Sequence, residues 1–401
     1  MIQTATLLSS TIALPNLKSG SPRLRTPPGK NDPGHDRREL ESALERLSPE
    51  QRERFLKALV SEILHRHADF IAGVWRYRRH PYRRTEPRYP VLWSQGTTRL
   101  LDCRFEAKDG PPVLIVPSLI NRSYILDLTP KNSLVRGLAK RGIAPFTIDW
   151  DAPGPEESQF DLTGYILRRL EPALEAVHRA VGRRVTLLGY CMGGLLTVAA
   201  AMRRPELING LVLLASPWDF HQGAATPRAF LQSLWEVLHP VIEAQGQLPV
   251  DVLQALFATF DPDLTIRKFT AFGTLPKNGA AARDFVVLED WANDGVPLTE
   301  KVAVECLGGW YLRNTPCKGE WRVDGQVVRP ETVACPSLLV IPERDRIVTP
   351  ASALALSHCL PRSTVLQVSG GHVGMLLSKS AGSRLHAPIS AVIKKWAGGE
   401  P

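Results

Sequence analysis

Several features that would classify a chain quickly are missing from this one. No stretch of its 401 residues approaches the roughly 20 consecutive apolar residues of a membrane span, so a transmembrane protein is not expected. Its six cysteines (Cys103, Cys191, Cys306, Cys317, Cys335 and Cys359) form no CxxC pair and join no His/Cys cluster. That argues against a zinc site of the usual close ligand spacing, and nothing else in the pattern calls for a metal or a resident cofactor. Residues 1–14 are mildly apolar but no basic residue precedes Lys18, whereas a secretory leader needs a positive n-region. The expectation is a cytoplasmic protein whose cysteines are free thiols, most of them buried like small hydrophobes.

Acidic residues are also in deficit. Forty Asp and Glu against 49 Lys and Arg give a formal charge of +9 and a pI near 9.4, so the surface should attract anions. Nucleic acid, anionic lipid or a small polyanion such as coenzyme A would each suit that balance. The basic run Arg76, Arg78, Arg79, Arg83 and Arg84 is interleaved with Trp75, Tyr77 and Tyr82, a texture found in nucleic-acid binders. No zinc finger, RNA-recognition signature or other reader motif surrounds it. It reads as a solvated helix end, with an acyl-CoA or polymer-related surface as the second reading, and no nucleic-acid partner is expected.

What is present is material for a core: 44% of the residues are hydrophobic and 22% charged, as in soluble globular proteins. Residues 1–40 form a tail expected to be disordered, because 20–38 are rich in Pro, Gly and charge and can bury little. Residues 41–91 read as an N-terminal helical segment. Ser48 caps its helix, Pro49 fits the first turn and Gln51 closes a capping box. Phe55, Leu56, Leu59, Val60, Ile63 and Leu64 then supply an apolar face at helical spacing.

From about residue 92 short apolar runs take over, at 113–116, 144–148, 185–188, 211–215, 337–341 and 365–368. Helical patterns at 133–140, 164–181 and 194–202 separate the first four. Strand and helix alternating in this way predict an α/β fold, a mainly parallel sheet with helices on both faces. Residues 98–106 can add an antiparallel strand. The alternation breaks over 222–333, where amphipathic helices (227–238 and 248–260), several prolines and an aromatic-rich piece (290–311) occur. This stretch reads as a helical cap, or lid, inserted between core segments 92–221 and 334–401 and covering the carboxyl edge of the sheet.

One cysteine sits in a special place. Leu187-Leu188-Gly189-Tyr190-Cys191-Met192-Gly193-Gly194-Leu195 has the form strand, G-x-C-x-G, helix, the nucleophile elbow of α/β-hydrolases with Cys in place of Ser. The flanking glycines permit a tight turn with close backbone approach. The turn puts the thiol at a helix N-terminus, which favours thiolate, and makes the Met192 N–H the natural first oxyanion donor. A thiol needs a base, and this fold supplies the order nucleophile, acid, histidine. Asp345 follows the 337–341 strand, and His372 lies in the Gly-rich loop after the 365–368 strand. Asp219, just past the 211–215 strand, is a rival acid; His221, His358 and His386 are rival bases.

The choice of sulfur bears on the substrate. Moving an acyl group from an oxygen ester onto a thiol is uphill, whereas moving it from another thioester is nearly isoenergetic. A cysteine elbow therefore matches acyl-CoA or a similar donor, and the acyl-enzyme can then pass its acyl group downhill to a hydroxyl.

Together these blocks resemble the polyhydroxyalkanoate synthases. Besides Gly189-Tyr190-Cys191-Met192-Gly193-Gly194, the resemblance rests on Val116-Pro117-Ser118-Leu119-Ile120-Asn121-Arg122-Ser123-Tyr124-Ile125-Leu126-Asp127-Leu128, Ser133-Leu134-Val135-Arg136, Ile148-Asp149-Trp150, Asp345-Arg346-Ile347-Val348 and Gly371-His372-Val373-Gly374. It covers about 95–398 and lies nearer the short classes. It implies a cysteine acyltransferase that polymerises (R)-3-hydroxyacyl-CoA and releases CoA. Cys191 would carry the growing chain, His372 would deprotonate the thiol, and Asp345 would assist His372 or the substrate hydroxyl. The loop at 118–120 would supply the second oxyanion donor, the Leu119 N–H. The resemblance also implies the polyester granule surface as a partner, with a second synthase subunit or a homodimer. A thioesterase or an intracellular depolymerase of the same polymer is the alternative reading.

Overall fold

The computed structural model describes residues 42–223, 228–277 and 279–399; the tail expected at 1–40 lies outside the described residues. The chain divides into two compact units, one of described residues up to Arg83 together with Pro262–Val286, the other of Arg84–Asp261 with Val287 onward. Residues 262–286, within the stretch read as a cap, thus belong to the unit of the N-terminal helix.

In the smaller unit, helix α1 (Pro49–Arg78) starts at the expected capping box. Gln51 N donates to Ser48 Oγ at 3.2 Å and Ser48 N to Gln51 Oε1 at 2.9 Å. The helix buries Phe70, Gly73 and Val74, with Phe70 edge-on to Phe269 of the helix Leu264–Thr274. A Cβ on Gly73 would lie 2.0 Å from the Phe269 carbonyl oxygen, so glycine permits this approach. Leu56, Val60 and Leu64 are exposed: the contact forms nearer the C-terminal end of α1 than its periodicity suggested. The basic run ends the helix, with Arg76 Nη1 donating to the Phe272 and Gly273 carbonyls and Arg79 resting over Trp75.

The larger unit is built on eight strands: β1 (Val91–Gln95), β2 (Thr98–Asp102), β3 (Pro112–Val116), β4 (Ala144–Asp149), β5 (Val185–Tyr190), β6 (Ile208–Leu214), β7 (Ser337–Pro342) and β8 (Ser363–Val368). Their order is β1-β2-β4-β3-β5-β6-β7-β8. β2 pairs antiparallel with β1 and β4, and the pairs from β4 to β8 are parallel. β3, β5 and β7 are buried along their whole length, which explains why they read as continuous apolar runs rather than alternating ones.

Helices α2 (Leu134–Ala139), α3 (Glu171–Val181), α4 (Met192–Arg203), α5 (Pro350–Cys359) and α6 (Ala387–Ala397) belong to the same unit. Their boundaries follow local chemistry. Ser133 accepts from Arg136 N at the start of α2, Gly182 ends α3 in the left-handed conformation, and Thr349 caps α5 with Pro350 in its first turn. α4 is buried from Met192 to Ala201. It packs in the main core with leucines and valines such as Leu114, Leu187 and Leu213, each worth roughly 1.5–3 kcal/mol of burial. The central helix is thus fixed over the sheet directly after its N-cap, Cys191.

The part of 222–333 that lies in this unit carries the helix Val250–Ala258, two short two-stranded pairs and a helical stretch, Glu300–Ala303 running into a π-helix at Val304–Arg313.

Candidate active site

Cys191 occupies a sharp turn between β5 and α4, with φ 54° and ψ −125°. A left-handed φ is costly for a residue with a side chain and persists only where the surroundings enforce it. Here the Cys191 N–H is fixed to the Leu214 carbonyl at 2.8 Å. The glycines allow the close approach around it. A Cβ on Gly189 would lie 2.5 Å from Gly194 Cα, one on Gly193 2.1 Å from the Val116 carbonyl oxygen, and one on Gly194 1.9 Å from Ser216 Oγ. Backbone of β3, β5 and α4 therefore meets at the thiol with no room for side chains.

His372 and Asp345 come to the same place from the ends of β8 and β7. Their side chains are buried, and His372 Nδ1 bonds Asp345 Oδ2 at 2.7 Å. Asp345 Oδ1 accepts the Ile347 and Val348 N–H groups at 2.9 and 3.0 Å, so both carboxylate oxygens are committed. The Cys191 side chain lies close enough for its charge to act on the His372 ring. Burial opposes a charge on that ring, but the Cys191 charge, the bond to Asp345 and the Asp345 charge outweigh it and raise its pKa to about 10. The geometry thus brings imidazole and carboxylate into one hydrogen-bonded pair beside the Cys191 side chain.

The rival residues go elsewhere. Asp219 accepts Asn314 Nδ2 at 2.8 Å and the His221 N–H at 3.0 Å, and His221 Nε2 lies 3.2 Å from the Tyr311 carbonyl oxygen. His358 lies in α5. His386 is buried against Gly137, whose added Cβ would sit 2.1 Å from the ring; its pKa is lowered to about 4 by burial and by the Arg141 charge.

Met192 is the first residue of α4, so its N–H has no intrahelical acceptor. Leu119 lies in the loop after β3, where Trp150 Nε1 donates to the Pro117 carbonyl at 3.0 Å and Ile120 N to Ser118 Oγ at 3.1 Å. Since β3 and α4 touch through Gly193, this loop runs beside the start of α4.

Three neighbours were not singled out by sequence reasoning. The Tyr190 hydroxyl donates to the His372 carbonyl at 3.2 Å, and its ring lies against the imidazole, 5.2 Å between centroids. The side chains of Cys306 and Tyr311, both on the π-helix, have their acidities weakened first by burial; the Cys191 charge comes next for Tyr311, and the Glu305 and then the Cys191 charge for Cys306. For Tyr190 the available signal was its place inside the elbow; Cys306 and Tyr311 had only the aromatic-rich piece to mark them. Among the described residues no group of three or more His, Cys, Asp or Glu side chains is placed to hold a metal ion.

A family model described as alpha/beta hydrolase fold matches residues 111–378. The poly(3-hydroxyalkanoate) polymerase subunit PhaC of Haloferax mediterranei is 28% identical over 312 residues, 76% of this chain and 63% of that protein. The protein of the same name from Synechocystis sp. is 30% identical over 294 residues, 71% of this chain and 77% of that one. Its counterpart from Allochromatium vinosum is 26% identical over 308 residues, 74% and 85% of the two chains. The chain thus spans less than two thirds of the Haloferax protein's length. Sheet, elbow and these similarities agree: the chain belongs to the α/β-hydrolase fold family and, within it, to the family of poly(3-hydroxyalkanoate) polymerase subunits PhaC.

Proposed function

We propose that the protein is an acyltransferase that polymerises (R)-3-hydroxyacyl-CoA through a cysteine acyl-enzyme, with Cys191, His372 and Asp345 as its triad. The observation that carries this is the buried His372 ring, bonded through Nδ1 to Asp345 and near enough to Cys191 for the cysteine's charge to act on it. The Cys191 thiolate attacks the thioester carbonyl, a new carbon–sulfur bond forms and the bond to the CoA sulfur breaks. The His372 imidazolium gives its proton to the departing CoA thiolate. The Met192 and Leu119 N–H groups hold the carbonyl oxygen while it carries negative charge. In the second half His372 takes the proton of an incoming 3-hydroxyl group, whose oxygen attacks the Cys191 thioester and restores the thiolate–imidazolium pair. Because both oxygens of Asp345 are occupied, its part is to orient and charge-stabilise His372 rather than to act on the hydroxyl.

This chemistry is complete without a resident cofactor, acyl-CoA being substrate. In this reading the part of 222–333 that lies in the larger unit acts as a cap that limits water, since hydrolysis competes with chain growth. The partners are the polyester granule surface and a second synthase subunit or a second copy, in the cytoplasm.

The test is to incubate the purified protein with (R)-3-hydroxybutyryl-CoA, with and without a candidate second subunit, and to measure CoA, free acid and polymer separately. CoA with polymer is the expected result. CoA with only free acid would replace the synthase reading by a thioesterase, and no release in either condition would overturn both.

A further inference from the structure

Resting on that reading, we propose that Arg122 is a positioning residue for the second oxyanion donor. It holds the 117–122 loop, which carries the Leu119 N–H, between the end of β4 and residues 291–295 of the inserted segment.

The loop has one internal fastening, the Ile120 N–H on Ser118 Oγ, and one on its N-terminal side, Trp150 Nε1 on the Pro117 carbonyl. At its C-terminal side nearly everything converges on Arg122 and its neighbours. The Arg122 guanidinium bonds Asp151 through Nη1, and its Nε stands 3.5 Å from Asp294 Oδ1. The Arg122 carbonyl accepts Trp291 Nε1 at 2.9 Å. Asn121 forms a backbone bridge with Gly295, and the Tyr124 hydroxyl donates to Asp294 Oδ2 at 3.0 Å. Asp151 is itself held in a left-handed conformation, φ 57°, with Oδ1 accepting the Ala152 N–H.

The charges make Arg122 more than a rim salt bridge. Three carboxylates bear on it, those of Asp151, Asp294 and Asp149, and Asp149 also has Arg99 at 2.6 Å. Without Arg122, Asp151 and Asp294 would lose the cation they share, with only Arg99 left to act on Asp151, and 294–295 would be held less firmly to 121–122. A lysine would restore the charge but not the planar fork that reaches two carboxylates at once. These residues line a cleft of about 1070 Å³ to which neither Cys191, His372 nor Asp345 contributes. The hydrogen bonds and ion pairs of Arg122 go to Asp151, Asp294 and Trp291 rather than to Cys191, His372 or Asp345, so its loss acts on the loop first.

Two reactions of one thiol separate these effects. Transfer from acyl-CoA builds an oxyanion; alkylation by iodoacetamide, a displacement at carbon, builds none. In Arg122→Ala, CoA release from (R)-3-hydroxybutyryl-CoA should fall about 100-fold, the scale of one lost oxyanion donor. Alkylation of Cys191, followed by peptide mass spectrometry, should stay within about twofold of the parent, with Arg122→Lys intermediate in CoA release. Should Arg122→Ala not fold, Arg122→Lys carries the same comparison. Undiminished CoA release, or release and alkylation falling together, would overturn the inference while leaving the acyltransferase reading intact. Absence of CoA release by the parent chain would overturn that reading and this inference with it.

Discussion

Replacing Asp345 by Asn changes one atom type and should disable the protein without unfolding it. Asp345 Oδ1 is held by two backbone donors, Ile347 N at 2.9 Å and Val348 N at 3.0 Å. An Asn side chain must turn its carbonyl oxygen to those donors, which aims its NH2 at His372 Nδ1, now 2.7 Å from Oδ2. Nδ1 then becomes an acceptor, and the ring's proton moves to Nε2. In that tautomer the imidazole cannot accept a proton from the thiol. Two of the contributions that raise the His372 pKa, the Asp345 bond and charge, are lost as well, while burial still opposes the imidazolium. The same substitution in Ser-His-Asp triads lowers kcat about 10⁴-fold. A thiol ionises more easily than a hydroxyl, so a loss of roughly 10²–10⁴ is expected, about 2.7–5.4 kcal/mol of barrier. The assay is initial-rate CoA release across pH 6–10, alongside a urea unfolding curve. A rate within tenfold of the parent at every pH would refute the reasoning.

Two further outcomes follow from packing and burial. Gly193→Ala places a methyl 2.1 Å from the Val116 carbonyl oxygen and 2.8 Å from that of Pro117; backbone cannot yield as a side chain can, so stability should fall by about 1–3 kcal/mol or more, read as a lower urea midpoint at unchanged slope. His386 has its pKa lowered to about 4, so its contribution to stability is complete above its unfolded value near 6.5 and is lost as pH falls toward 4. His386→Leu should flatten the stability curve over that interval, and an unaltered slope would contradict it.

Much of the fold could be read from the chain because its central strands are buried on both faces and its helix starts carry caps. The run at 185–188 became Val185–Tyr190 and that at 337–341 became Ser337–Pro342. The capping box at Ser48 and Gln51 formed as the residues suggested. β1 was not anticipated: its burial is irregular, and its turn at Gly96 depends on a distant contact, a Cβ there meeting Glu157 Oε1 at 2.0 Å. Within 222–333 the helices Leu264–Thr274 and Ala280–Asn293 also escaped notice, since charged residues interrupt their apolar positions. Of the candidate site, Cys191, Asp345 and His372 were legible from the glycines and strand ends that surround them. Tyr190, Cys306 and Tyr311 were not, because what brings them to Cys191 is tertiary packing rather than local pattern.

The most direct test of the account is to find where the acyl group goes. The protein is mixed with (R)-3-hydroxybutyryl-CoA, quenched in acid within the first turnovers and digested for peptide mass spectrometry, beside Cys191→Ala and Cys103→Ala. A hydroxylamine-sensitive acyl adduct is expected on the Cys191 peptide, retained in Cys103→Ala, where Cys103 is buried away in the core, and absent from Cys191→Ala. An adduct that persists in Cys191→Ala, or turnover without any adduct on Cys191, would contradict the cysteine acyl-enzyme.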